Sequence, residues 1–216
     1  MNALVDVGEL GAVIFLASTL MILATRFFIS QLLAYQVQSL VLALFTAAAA
    51  LLEHHPELYL AAAVTLLVRA LAVPWMLRRF AEALPSRREE RLILGNPSSV
   101  LIGALLIGFA ILAAARLLPS GSPLVLSSFA TGLALVLLGF FLTSSRPEAF
   151  PQVLGLLVIE NGLFLLAVGL IPGFPLFNEV VVLFDLLILV VVVGLLARVM
   201  VERMGDAAAW SRELRG

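Results

Sequence analysis

Seven apolar runs recur along the chain, most of them long enough as helices to cross about 30 Å of bilayer hydrocarbon. Prolines cluster between the runs, where helices should stop. Pro74 lies inside the third run, near its end, and predicts a kink there. We therefore predict an all-α, polytopic membrane helix bundle with spans at residues 10–25, 32–52, 58–77, 100–118, 124–142, 153–170 and 180–201.

Composition supports this fold class and excludes several kinds of site. The chain is 62% hydrophobic and 12% charged, whereas a soluble domain is about a quarter charged. It has no Cys, which excludes thiolate nucleophiles and iron–sulfur ligands, and no phosphate-binding loop. His54 and His55 are adjacent in a short turn, where a solvated loop is favoured over a metal site. We expect no cofactor and no metal in this chain, contact with membrane lipid, and no nucleic-acid partner.

The distribution of arginines predicts how the spans are oriented. All the basic residues are arginine, and most follow odd-numbered spans, whose connections share one side of the membrane. That side carries Arg26, Arg78, Arg79, Arg87, Arg88, Arg91, Arg146, Arg198, Arg203, Arg212 and Arg215. The opposite side has Arg116 alone, beside Glu53, Glu57 and Glu179. By the positive-inside rule, the N-terminus is outside and the C-terminus is cytoplasmic.

Two acidic residues interrupt the last two spans. Glu160 lies about 10–12 Å into the sixth span, and Asp185 lies inside the seventh, which enters the membrane from the opposite side. A charge at the bilayer centre costs about 2.5–3.5 kcal/mol. Carboxyl groups at such depth are therefore interpreted as functional, because they can hold and pass protons. Asn161 and Glu179 are predicted to lie on the same proton path as these two acids. The alternative is that Glu160 pairs with a basic residue to lock two helices.

Arg69 sits in the middle of the third span, too deep for its side chain to reach the interface easily. It requires an acid or carbonyl groups as a partner. Glu160, Asp185 or an acid on another subunit would serve. A positive charge beside a carboxylate can tune proton release, and the same pair can equally be a static bridge.

Polar and small residues mark faces of other helices. Gln31, Tyr35 and Gln38 share one face of the second span, which either contacts a polar helix and water or serves as interfacial anchor and inter-helix contact. Glycines recur every seven residues at Gly132 and Gly139, and at Gly155, Gly162 and Gly169. We expect the sixth span to pack closely along its glycines and to present Glu160 elsewhere, for example to a partner subunit.

Several short motifs resemble a known family. The run from Gly155 to Gly162, the acid at Asp185 and the run from Gly194 to Arg198 resemble component E of the membrane-bound hydrogenase called hydrogenase-4. The segments at Tyr35 and Arg69 are similar to that family as well, so the resemblance covers essentially the whole chain. The last three spans also resemble the K subunit of respiratory complex I and, more loosely, the C subunit of multisubunit cation/proton antiporters.

The resemblance divides the chain into residues 1–120, a four-helix membrane region, residues 121–205, a three-helix region similar to the complex I K subunit, and a cytoplasmic tail at residues 206–216. It places one acid at Glu160 and a second near Asp185, where this chain has the shorter Asp in place of Glu. The first four spans have no equivalent in the complex I K subunit.

The implied protein is a non-catalytic membrane subunit of a group 4 hydrogenase or formate-hydrogenlyase-like complex in a prokaryotic inner membrane. Its partners would be antiporter-like membrane subunits, with the nickel–iron and iron–sulfur groups on another arm. Glu160 would carry protons, Asp185 would be the second carrier and Arg69 the tuning charge. The alternatives are a structural scaffold with inter-subunit ion pairs, an antiporter component, and a stand-alone transporter.

Overall fold

The computed structural model describes residues 2–53, 56–83, 95–119, 121–146, 148–170 and Gly194. These residues form helices and short connections, with no β-strand among them. In chain order the helical elements are α1 (Asn2–Ala24), α2 (Phe28–Glu53), α3 (Pro56–Val64), a π-helical segment (Thr65–Ala72), α4 (Val73–Ala83), α5 (Asn96–Leu117), α6 (Pro123–Ser145) and α7 (Ala149–Leu170). The predicted all-α class is confirmed for this part of the chain.

Prolines mark several helix starts. α3 begins at Pro56 and α6 at Pro123, and Pro97 lies in the first turn of α5. Proline is tolerated there because its missing N–H would have no partner in the first turn, and its fixed φ already suits a helix. Ser122 precedes α6, and its Oγ accepts a hydrogen bond of 3.4 Å from the Val125 amide. This bond satisfies one of the amides that a helix start leaves unpaired.

The helices pack around one apolar core. α1 contacts α2, α5 and α6, while α2 contacts α7 and the rod formed by α3, the π segment and α4. The closest pair is α6 with α7. Phe15, Leu42, Val73, Leu138 and Leu157 come from five different elements and are all buried in this core. Helices from residues 1–120 and from residues 121–170 therefore share a single interior.

The exterior of the bundle is apolar and its interior contains polar side chains. Leu44, Leu67, Leu105, Phe109 and Leu112 are all more than half exposed. A soluble protein rarely exposes apolar side chains in this density, whereas lipid requires them. Within the described part of the chain, four helices are long and apolar enough to cross a membrane, at Phe28–Ala48, Pro97–Leu117, Val125–Ser145 and Phe150–Ala167. Together these features indicate a membrane protein.

Four of the seven predicted spans correspond to those four helices. The first predicted span coincides with a shorter apolar stretch, Gly8–Ala24, within α1. The third coincides with the rod of α3, the π segment and α4, which runs through Arg69. The predicted seventh span, residues 180–201, lies outside the described residues apart from Gly194, as does the predicted tail.

Candidate functional site: a buried polar chain across four helices

The π segment carries Arg69 and is continuous with the α-helices on either side. Val64 and Val73, which flank it, both have right-handed helical backbone angles. The Val73 N–H donates to the carbonyl of Val68, five residues earlier, which is the π pattern. Such wide turns are rare in proteins overall, and those that do occur are frequently found at functional sites. The sequence predicts a kink near Pro74; the structure has a widened turn that ends two residues before this proline.

Pro74 and a neighbouring helix explain why the turn is widened. Proline has no N–H, and its ring displaces the carbonyl four residues earlier, which is that of Ala70. Gln36 of α2 donates a hydrogen bond of 3.1 Å from its Nε2 to this carbonyl oxygen. A side chain of α2 therefore supplies a donor where Pro74 cannot, and it ties the π segment to α2.

Arg69 forms an ion pair with Glu160 in the middle of the bundle. The Nη2 atom of Arg69 lies 2.8 Å from Oε1 of Glu160, and the two side chains are only 2% and 3% exposed. The guanidinium carbon also lies 5.3 Å from the centre of the Phe164 ring, one turn further along α7. Burial strengthens the attraction between the charges, and the aromatic face adds a cation–π contact.

Asn161 extends the ion pair from α7 to α2. Its Oδ1 accepts a hydrogen bond of 3.1 Å from Nη1 of Arg69, so neighbouring residues of α7 hold both nitrogens of the guanidinium fork. Its Nδ2 donates to Oε1 of Gln38 at 3.0 Å and to Oγ of Ser39 at 3.4 Å. The amide therefore fixes the orientation of Arg69 relative to α2.

Gln38 continues the chain to α1. Its Nε2 donates to Oγ1 of Thr19 at 2.8 Å and lies 3.5 Å from Oγ of Ser18. Both hydroxyls donate in turn to the carbonyl oxygen of Phe15 within α1. We call the set Thr19, Gln38, Arg69, Glu160 and Asn161 the polar chain; every member is 3% exposed or less.

The polar chain combines a single ionisable acid with groups that cannot release a proton near neutral pH. The guanidinium of Arg69 stays charged, and the amides of Asn161 and Gln38 only donate and accept hydrogen bonds. Glu160 is the member whose charge can change. Protonation of Glu160 would remove its attraction to Arg69 in a low-dielectric interior, so the arrangement couples one proton to the position of one cation.

The structure brings together four of the site residues predicted from the sequence: Arg69, Glu160, Asn161 and Gln38. Tyr35 is fully buried one turn from Gln38 on the same face of α2, where the apolar core surrounds it. Glu179 and Asp185 lie outside the described residues. Of the partners considered for Arg69, Glu160 of the same chain forms an ion pair with it, and Asp185 lies outside the described residues.

Sequence analysis missed the α1 end of the polar chain. Ser18 and Thr19 are isolated hydroxyl residues in an apolar run, and such residues often bond only to their own helix backbone. Their adjacency, in a run otherwise poor in polar residues, was the available signal. Ser39, which follows Gln38 directly, carried the same kind of signal.

The glycine prediction is confirmed at the contact between α6 and α7. A Cβ atom at Gly139 would lie 2.7 Å from the carbonyl oxygen of Gly155, and one at Gly162 would lie 2.7 Å from that of Gly132. Such distances leave no room for a side chain, so these glycines let the two backbones meet. Glu160 lies on another face of α7, as predicted, and that face is turned to Arg69.

Arg146 forms a second buried cationic site at one end of the bundle. It was predicted as a connection residue, yet it is only 1% exposed. Its Nη2 donates to the carbonyl of Leu23 at 3.0 Å and lies 3.5 Å from that of Thr25, where α1 ends. A cation stabilises the carbonyl end of a helix, so Arg146 has a structural role as a cap.

The described residues contain no cluster of three or more His, Cys, Asp or Glu side chains that could hold a metal ion. Glu160 is committed to Arg69, and its neighbours in the polar chain are amides and hydroxyls. The site as described is a buried ion pair extended by amide and hydroxyl groups.

Comparison with known proteins gives one bacterial relative. The chain is 34% identical over 146 residues, or 66% of its length, to the uncharacterized protein Rv0085 of Mycobacterium tuberculosis. The matched part is 65% of that protein, so the chain spans just under two thirds of the relative's length. No family model matches the chain, and no solved structure matches it.

Proposed function

We propose that this chain is a seven-span membrane subunit that contributes an intramembrane carboxylate, Glu160, to proton translocation in a group 4 hydrogenase-like redox complex. The observation that carries the proposal is the Arg69–Glu160 pair, buried inside a bundle whose outside is apolar. Ionisable groups inside a membrane are costly, and they commonly mark the path of an ion.

The proposed mechanism uses the change of charge at Glu160. A proton that arrives at Glu160 removes its attraction to Arg69 in a low-dielectric interior. Release of that proton toward a second acid restores the pair. Asp185 is the proposed second carrier. Asn161 and Gln38 orient the pair without ionising.

Membership of a redox complex rests on the family resemblance. It implies antiporter-like membrane subunits beside this chain and a separate arm with nickel–iron and iron–sulfur groups. A bacterial relative is consistent with a prokaryotic plasma membrane.

The placement of arginines supports the proposed topology. Arg78 lines the same groove as Ile29 at the start of α2, and Arg146 contacts the end of α1, so both lie at one end of the bundle with Arg26. Arg116 lies at the other end, because the start of α5 packs beside the end of α1 at Gly103. We propose that the end carrying Arg26, Arg78 and Arg146 is cytoplasmic.

The first test is Glu160→Gln in the tagged chain, followed by purification of the assembly that contains it. Gln keeps the size of the side chain but removes the ionisable group. We expect an assembled complex with intact redox turnover and with proton uptake into liposomes reduced at least tenfold. The matched control is Glu9→Gln, because Glu9 is an exposed acid of α1. Normal coupled transport of protons in assembled Glu160→Gln liposomes would reject the proposal; repeating the assay with sodium identifies the ion.

A structural lock between helices is the second candidate function, and the hydrogen bonds from Arg69 to α7 favour it. Arg69 is held by Glu160, Asn161 and the Phe164 ring, which is sufficient to fix the π segment against α7. In that case replacement of both charges, in Arg69→Met/Glu160→Leu, would retain both assembly and transport. A carrier role for Glu160 predicts assembly without transport for the same double variant.

A further inference from the structure

A groove on the outside of the bundle runs between α2 and the rod formed by the π segment and α4. Its volume is about 490 Å³, within the range of about 300–1,000 Å³ that is typical of ligand sites. We call it the α2–α4 groove. Leu33 of α2 and Leu67 and Leu71 of the π segment line it, and all three side chains are more than half exposed.

The groove has one cationic end. Arg78 lines it, nine residues beyond Arg69 and therefore about 14 Å nearer the end of the bundle. Trp75 lines it as well, and the guanidinium carbon of Arg79 lies 5.5 Å from the centre of a Trp75 ring. Tryptophan and arginine together are typical of the level of the lipid headgroups.

We propose that the α2–α4 groove binds an anionic phospholipid, with the phosphate at Arg78 and an acyl chain along Leu33, Leu67 and Leu71. The planar guanidinium fork matches the geometry of a phosphate group. The remaining wall is apolar except for Gln36, whose Nε2 already donates to the Ala70 carbonyl, and such a wall suits a hydrocarbon tail. The groove has a charge at one end and leucines along the rest, and a phospholipid has the same division between its headgroup and its acyl chains.

The position of the groove gives this lipid a structural consequence. Leu67, Leu71 and Ala72 belong to the segment that carries Arg69, and Gln36, which bonds to the Ala70 carbonyl, also lines the groove. A bound acyl chain would thus pack directly on the residues that hold the π turn. The inference does not depend on whether Glu160 moves protons.

The test uses the full chain, delipidated in detergent and then exposed to dioleoyl phosphatidylglycerol or dioleoyl phosphatidylcholine, with retained lipid counted by native mass spectrometry. We expect phosphatidylglycerol to be retained about fivefold more strongly than phosphatidylcholine, the effect of one arginine near an anionic headgroup. Arg78→Gln should abolish this preference. Arg116→Gln, the same change at the opposite end of the bundle, should leave it intact.

A second variant tests the apolar wall separately from the charge. Leu67→Trp fills the groove from an exposed position, so the fold should be retained, and we expect retention of both lipids to fall. Equal retention of the two lipids by the wild type would overturn the proposal. So would a phosphatidylglycerol preference that persists unchanged in Arg78→Gln, or lipid retention that is unchanged in Leu67→Trp.

Discussion

Two helices of equal length, α5 and α7, show how differently an apolar segment can be used. Each has 22 residues, and each is long and apolar enough to cross a membrane. Yet only 17% of the spanning part of α5 is buried inside the bundle, against 61% for α7. α7 contains both the glycines that meet α6 and the acid that meets Arg69.

The difference follows from the environment of a helix in lipid. Lipid tails are as apolar as leucine, so hydrophobicity alone does not draw a helix into the bundle. Close backbone contact and polar bonds do, and α7 has both. α5 presents Leu105, Phe109 and Leu112 outward instead. Burial of α7 is therefore accompanied by glycines and polar residues, while α5, with only 17% of its spanning part buried, lies on the periphery.

The largest effect that we expect concerns the ion pair on α7. Arg69→Leu leaves Glu160 buried without its cation and should lower the free energy of unfolding by about 3–5 kcal/mol. The double variant Arg69→Leu/Glu160→Leu should recover most of that loss, because no charge remains unpaired. Unfolding in mixed micelles measures both. Equal destabilisation of the single and double variants would show that the pair does not control stability.

Leucine truncations compare the two helices directly. Leu157 of α7 is 1% exposed, and Leu157→Ala should cost about 2–5 kcal/mol through lost contacts and a cavity. Leu112 of α5 is 69% exposed, and Leu112→Ala should change stability by about 0.5 kcal/mol or less. The same unfolding assay applies. Similar losses at the two positions would contradict the outward placement of α5.

Glycine substitutions make the same comparison at backbone level. Gly139→Ala on α6 places a methyl group 2.6 Å from a side-chain carbon of Ile159 on α7 and should cost about 1–3 kcal/mol. On α5, a Cβ at Gly108 meets nothing within 4 Å, so Gly108→Ala should be neutral or stabilise by up to about 1 kcal/mol. A neutral Gly139→Ala would show that α6 and α7 separate at little cost.

The smallest expected effect concerns the hydrogen bond by which Gln36 of α2 supports the π segment. Gln36→Leu removes the donor to the Ala70 carbonyl and should cost about 1 kcal/mol. It should also speed hydrogen exchange within residues 65–72. Gln152→Leu is the matched control, because Gln152 donates to the Arg146 carbonyl at 2.9 Å, far from the π segment. Unchanged exchange in Gln36→Leu would show that Pro74 and packing suffice for the widened turn.

Much of this architecture could be predicted from local signals. Prolines predict several helix starts, and the seven-residue glycine spacing predicts the α6–α7 contact. Both signals can be recognised within a short stretch of sequence. Glu160 was also a foreseeable partner for Arg69, since two opposite charges in one apolar bundle attract strongly. Which of several possible partners Arg69 would choose required the tertiary structure.

The π segment and the α1 end of the polar chain could not be predicted. The hydrogen bond that ties the wide turn to α2 joins Gln36 to Ala70, 34 positions away in sequence. A hydroxyl such as that of Thr19 satisfies itself on its own helix whether it faces lipid or protein, so its sequence context is the same in both cases. The burial of α7 likewise depends on its packing against α6 and α2, which the sequence of α7 alone does not specify.

The π segment also bears on how this chain should be aligned with its relatives. A π turn accommodates one residue more than the α-helix around it, so one residue can be lost between residues 65 and 72 while the helix continues. Such a loss would restore regular α-helical turns and leave both halves of the rod facing the same neighbours, whereas the loss of one residue from a regular α-helix rotates one half by about 100° relative to the other. A one-residue gap at this place would thus be tolerated inside a helix, away from any loop.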